Sequence, residues 1–133
     1  MRGRRAAYVA LAVAALALAG CGDSTKSSAT EAPTGKPKAT LKGTVGPGAT
    51  ISLKTEGGKP VKTLVSGIYV FEVDDLSESH NFHLTGPGID EKTLIEATAT
   101  DRFTRTLEPG RYTFVCDAHE DSMHGSFTVS GGS

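Results

Sequence analysis

From Thr40 onward the sequence breaks into short stretches in which apolar residues alternate with polar ones, punctuated by glycine and proline. Alternation of this kind puts successive side chains on opposite faces of an extended chain, and no stretch shows the 3.6-residue period of a long amphipathic helix. The chain is thereby restricted to an all-β sandwich or barrel. Ile51 and Leu53 alternate before Gly57-Gly58, and Ile68 to Val73 mixes β-branched and aromatic residues before Asp74-Asp75. His80 to Leu84 reads as a further strand closed by Gly86-Pro87-Gly88. Phe103 to Leu107 alternates, Glu108-Pro109-Gly110 marks a turn, and Arg111 to Cys116 and Ser126 to Ser130 follow as strands. Ile89 to Thr100 fits neither period and reads as a helical turn or an irregular loop. About 90 residues in seven or eight strands make one domain near the lower limit of a self-sufficient core, which a bound metal would reinforce.

The N-terminus has a different character. Met1 to Arg5 carries three arginines, and Ala6 to Ala19 is built from Ala, Leu and Val with a single Tyr. That order of charged, apolar and small residues is the pattern of a secretory signal, and an apolar run of about 14 residues is short of the roughly 20 needed to span a bilayer. Leu18-Ala19-Gly20-Cys21 resembles the lipobox of bacterial lipoproteins, which implies cleavage before Cys21 and lipid on its sulfur; an ordinary cleaved signal with a chance cysteine is the alternative. Gly22 to Thr40 has no large apolar side chain to bury and reads as a flexible tether. The expected organisation is a signal over 1–20, a lipidated Cys21 and tether over 21–40, and a compact domain over 41–133. The protein is then exported and held by lipid on the cell membrane, facing outside the cytoplasm.

Charge narrows the partners. Fourteen Lys and Arg against 15 Asp and Glu give a net charge of -1, with no cationic footprint for a phosphate backbone, so nucleic-acid binding is disfavoured. Loss of Arg2, Arg4 and Arg5 with the signal leaves a mature chain that is more acidic. If Cys21 carries lipid, Cys116 has no disulfide partner in a compartment that favours disulfides.

All four histidines lie in two segments, His80-Asn81-Phe82-His83 and Cys116 to His124, and the second also contains Cys116, His119 and Met123. Thiolate, imidazole and thioether together suit copper better than a hard cation. Tyr112, Phe114 and Cys116 share one face of their strand, so the sulfur points inward with two aromatic rings. His80, Phe82 and Leu84 share a face, which makes His80 the inward ligand and His83 a solvated surface residue. Between Cys116 and the last strand the chain must turn, presenting His119 and Met123 at one end of the sandwich. Each residue has a plainer reading: an inert buried thiol for Cys116, a hydrogen-bonded core ring for His80, an apolar end cap for Met123. His124 reads as an exposed loop residue, with replacement of Met123 as the alternative. Asp117, Glu120 and Asp121 read as a solvated acidic loop that can also steer a cationic partner.

From Leu41 to Ser130 these residues resemble the cupredoxins, in particular small bacterial plastocyanin-like blue copper proteins. The resemblance rests on His80-Asn81, on Pro109-Gly110-Arg111-Tyr112, and on Cys116-x2-His119-x3-Met123 followed by Gly125. It implies a Greek-key β-sandwich with one type 1 copper centre, in which His80, Cys116 and His119 are equatorial ligands, Met123 is the weak axial ligand, and Asn81 ties the first histidine segment to the cysteine loop. The chain departs from the family in having Asp117 and Ala118 where Ser or Thr and then Pro are common. A carboxylate there lowers the reduction potential if it is ionised and poorly solvated. The loop from His119 to Met123 is also shorter than in plastocyanins proper.

The resulting expectation is a non-enzymatic, monomeric carrier of single electrons between redox partner proteins, its identity as a carrier resting on copper and its location on the lipid anchor. A copper carrier or buffer without redox cycling is the alternative, disfavoured because the mature chain has a single Met and Cys116 faces the core. A multicopper enzyme would need histidines that the chain lacks.

Overall fold

The computed structural model describes residues 32–132. The signal over 1–20, Cys21 and much of the tether lie outside the described residues. Nine strands follow in order: β1 (Ala39–Val45), β2 (Ile51–Thr55), β3 (Thr63–Val65), β4 (Gly67–Asp75), β5 (His83–Gly86), β6 (Ile89–Lys92), β7 (Ala99–Leu107), β8 (Gly110–Val115) and β9 (His124–Ser130). They form two sheets, one in the order β2-β1-β4-β7 and the other β3-β9-β8-β5-β6. No helix occurs among the described residues.

Connectivity explains the pairing. β1 and β2 form an antiparallel hairpin; the chain then crosses to the second sheet for β3 and returns as β4, which lies parallel to β1. Parallel neighbours require such a crossover. β3 is likewise parallel to β9, whereas β4–β7, β5–β6, β5–β8 and β8–β9 are antiparallel.

Side-chain alternation fills the space between the sheets. Leu41 and Val45 of β1 and Tyr69, Phe71 and Val73 of β4 are buried on one side; Tyr112 and Phe114 of β8 and Phe127 and Val129 of β9 are buried on the other. Rings stack in pairs, Tyr112 on Phe127 at 5.1 Å between centroids and Phe82 on Phe114 at 5.5 Å. Burying one such side chain contributes roughly 1.5–3 kcal/mol.

The strand count exceeds the seven or eight expected, and β1, β3 and β6 are the strands that no stretch of the sequence reading names. Three residues are too few for β3 to show a period, and in β6 only Ile89 is apolar, so its alternation is hidden; it occupies part of the stretch read as a turn or loop. β1 begins at Ala39, two residues ahead of the expected domain start. The expected strand from His80 to Leu84 is regular only from His83 onward.

Gly86 lies beside Tyr112, and a Cβ there would collide with the Tyr112 ring, which is completely buried. Gly86→Ala should therefore overpack the core and cost about 1–3 kcal/mol. Equilibrium denaturation should show a lower midpoint with an unchanged slope; an unaltered midpoint would mean that the ring has room to move.

Candidate metal centre

The β8–β9 ladder runs one step beyond its last strand residues. Val115 is in register with His124, and the Cys116 N–H donates to the Met123 carbonyl at 2.9 Å. Cys116 and Met123 thus close the mouth of a loop. Inside it, the His119 N–H donates to the Cys116 carbonyl at 3.0 Å, and the Ser122 and Met123 N–H groups donate to the His119 carbonyl at 3.1 and 2.8 Å. These bonds fold the loop back so that His119 returns over Cys116. Cys116 and Met123 are buried and His119 is exposed.

His80 arrives from the β4–β5 connection. Its Nδ1 lies 3.6 Å from Cys116 Sγ, His119 Nδ1 lies 3.8 Å from the same sulfur, and the two Nδ1 atoms are 3.1 Å apart. The three donor atoms form a compact triangle, all within 4.8 Å of one another. The point equidistant from all three sits about 2.0 Å from each, the length of a metal–imidazole bond and close to the roughly 2.3 Å of a metal–thiolate bond. Two nitrogens and one soft sulfur, with no carboxylate in the triangle, fit a trigonal copper centre. Met123 is paired to Cys116 through its backbone carbonyl, and its side chain is buried. Cys116 is the free cysteine of the described residues.

Asn81 binds the two halves of the site. Its Oδ1 accepts the Asp117 N–H at 2.9 Å and its Nδ2 donates to Asp117 Oδ2 at 2.9 Å. Residues adjacent in sequence to His80 and Cys116 are thus clasped by a two-bond side-chain contact that is buried at Asn81.

His83 and Asp117 correct the sequence reading. His83 points away from the triangle, as strand alternation requires, yet it is not solvated: its Nδ1 faces Asp117 Oδ1 and its Nε2 faces Asp90 Oδ1, both at 2.6 Å, and the side chain is only 19% exposed. Burial opposes protonation of His83, but the hydrogen bonds and charges of Asp117 and Asp90 outweigh it and raise the ring's pKa. Burial likewise works against ionised Asp117, but bonds from His83 and Asn81, with the charges of His83 and Lys92, hold its carboxyl below the usual range. Asp117 is thus a paired group rather than a member of a solvated acidic loop. His124 is exposed, and its Nδ1–H donates to the Glu120 carbonyl at 2.9 Å, outside the triangle.

Two residues at the site escaped the sequence reading. Asp75 is buried at the end of β4, and Thr93 is buried just after β6. Asp75 shares the parity of Phe71 and Val73, a signal that places it inward. Thr93 stands in an aperiodic stretch and carries no comparable signal.

The His83–Asp117 pair gives stability a definite pH dependence. A raised His83 pKa stabilises fully below its unfolded value and loses that contribution as pH rises through the folded value. A lowered Asp117 pKa stabilises above its unfolded value and loses that contribution as pH falls through the folded value. Denaturant midpoints of the metal-free protein should therefore fall as pH rises through the His83 transition, and His83→Gln should remove that fall. An identical alkaline limb in the variant would show that the pair does not stabilise the fold.

No protein-family model matches the sequence, and no curated protein matches it. Solved structures do match the fold. Reduced rusticyanin superposes with a TM-score of 0.53 at 18% identity, covering 74% of this chain and 83% of that one. A substituted rusticyanin gives 0.53 at 19%, covering 74% and 81%, and a structure described as the copper protein rusticyanin gives 0.50 at 18%, covering 68% and 76%. One matching structure assigns rusticyanin to Thiobacillus ferrooxidans. The chain is a cupredoxin-like β-sandwich similar in fold to rusticyanin, with His80, Cys116 and His119 gathered at one end as a candidate metal centre.

Proposed function

We propose that this protein carries single electrons through one type 1 copper held by His80, Cys116 and His119, with Met123 as the axial ligand. The observation that carries the reading is the Nδ1–Nδ1–Sγ triangle, formed by the protein alone at coordination spacing. Bound there, copper supplies a one-electron couple. The chain supplies a site held in place by the Cys116–Met123 backbone pair and the Asn81–Asp117 clasp, so that its donors need little rearrangement between oxidation states. Cys116 is sealed from solvent while His119 is exposed, which makes the His119 ring edge the route to a redox partner. No substrate chemistry is needed, and the reading is of a non-enzymatic monomer.

The location belongs to the same proposal and rests on sequence. Signal, lipobox-like Cys21 and tether make this an exported carrier anchored by lipid outside the cytoplasm, where its partners are other redox proteins. Cys21→Ser should release the protein from the membrane fraction. An unmodified Cys21 in the mature protein, read by mass spectrometry, would refute the anchor.

Cupric ion added to the purified domain tests the copper reading. A cysteine thiolate on cupric ion in a trigonal field gives an intense visible charge-transfer band, so the protein should colour at one equivalent. Cys116→Ser should abolish the band and His80→Ala should disrupt it, whereas His83→Ala should leave it nearly unchanged. Met123→Leu should keep the colour and raise the reduction potential, since removal of a weak donor stabilises the oxidised state less. A protein that binds cupric ion without colour would support copper carriage in place of electron transfer.

A further inference from the structure

We infer that Thr93, backed by the buried carboxyl group of Asp75, is the positioning residue that holds His80 in place. The inference rests on the copper reading and adds to it a part of the chain that supplies no ligand. His80, Asn81 and Phe82 precede β5 and lie in no strand, so the sheet ladder does not fix them. Thr93 supplies the missing ladder. Its N–H donates to the Phe82 carbonyl at 3.0 Å. Its Oγ1 accepts the Phe82 N–H at 2.9 Å and donates its own proton to Asp75 Oδ2 at 2.6 Å. Its carbonyl accepts from Asn81 Nδ2 at 3.4 Å. Asp75 uses its second oxygen to accept the Ser77 N–H at 3.1 Å.

Asp75 and Phe82 stand at the two ends of the segment that carries His80, and one threonine hydroxyl joins them. Asp75, Asn81 and Phe82 are each 1% exposed and Thr93 is 5% exposed, so water cannot replace these bonds. The next residues show what holds this part of the chain: Leu94 is 73% exposed and Ile95 36%, so apolar burial does not anchor the loop after β6. Phe82 in turn stacks on Phe114, two residues before Cys116. A shift of Phe82 therefore moves both His80 and the strand that delivers the thiolate.

The test compares Thr93→Val, which keeps the shape but removes the hydroxyl, with Thr93→Ser, which restores it, and with Gly86→Ala, which destabilises the core beside Tyr112. Each protein is loaded with cupric ion, and the charge-transfer band, the copper hyperfine splitting and the rate of copper loss to a chelator are recorded. Thr93→Val should shift the band and splitting and release copper about ten-fold faster, as loss of groups that orient ligands does. Thr93→Ser and Gly86→Ala should keep wild-type spectra. A Thr93→Val protein with wild-type spectra and release rate, merely less stable, would overturn the inference, as would a Thr93→Ser protein that behaves like Thr93→Val.

If Thr93→Val does not fold, Asp75→Asn should give a smaller shift in the same direction, and none would overturn the inference. If the wild type stays colourless, the copper reading fails separately. The clamp is then judged by the order of the His80 ring in metal-free protein by nuclear magnetic resonance. Thr93→Val should loosen that ring, and an unchanged ring would refute the clamp.

Discussion

The single backbone pair between Cys116 and Met123 is the constraint from which the metal centre follows. It extends the β8–β9 ladder by one step and sets the length of the loop between them. A ladder fixes which faces its residues present, so the sulfur of Cys116 inherits the inward direction of Tyr112 and Phe114. With both loop ends fixed, hydrogen bonds to the His119 carbonyl coil the interior tightly enough to return His119 over the sulfur. Three of the four proposed ligands thus come from one hairpin whose geometry is local. The fourth, His80, has no such ladder and depends on side chains from three other places in the chain: Asp75, Thr93 and Asp117.

That division also explains what the sequence disclosed and what it concealed. Regular alternation in β4, β8 and β9 made the sandwich legible, and the parity of Tyr112, Phe114 and Cys116 correctly turned the thiol inward. The parity of His80, Phe82 and Leu84 likewise separated His80 from His83, although the chain there is not yet a strand. Apart from the one from Asn81, the polar contacts that finish the site were not legible. Thr93 to Asp75 and His83 to Asp117 join residues 18 and 34 positions apart, and a polar residue gives no periodic signal of its partner, whereas the tie from Asn81 to the cysteine loop was implied by the family resemblance. β6 was hidden for a related reason, since only one of its four residues is apolar. Its edge position in the sheet supplies the pairing that its composition does not advertise.

The carboxyl group next to the thiol shows how far such a partner alters the chemistry read from sequence. Asp117, taken alone, brings negative charge to within one residue of Cys116, and that charge favours an oxidised metal and lowers its potential. In the folded protein the same carboxyl group faces the His83 ring on one oxygen and the Asn81 amide on the other. The ring is itself held between two carboxyl groups, which favours its charged form. When that ring is protonated, the thiol's neighbour is one end of a chain of alternating charge running from Asp117 through His83 to the exposed Asp90. Opposite charges in contact weaken each other's field at a distance, so the charge felt at Cys116 is smaller than Asp117 alone would impose. Asp117 also acts mechanically. Its N–H and one oxygen are committed to Asn81 while His83 takes the other, and this fixes the backbone immediately after the thiol.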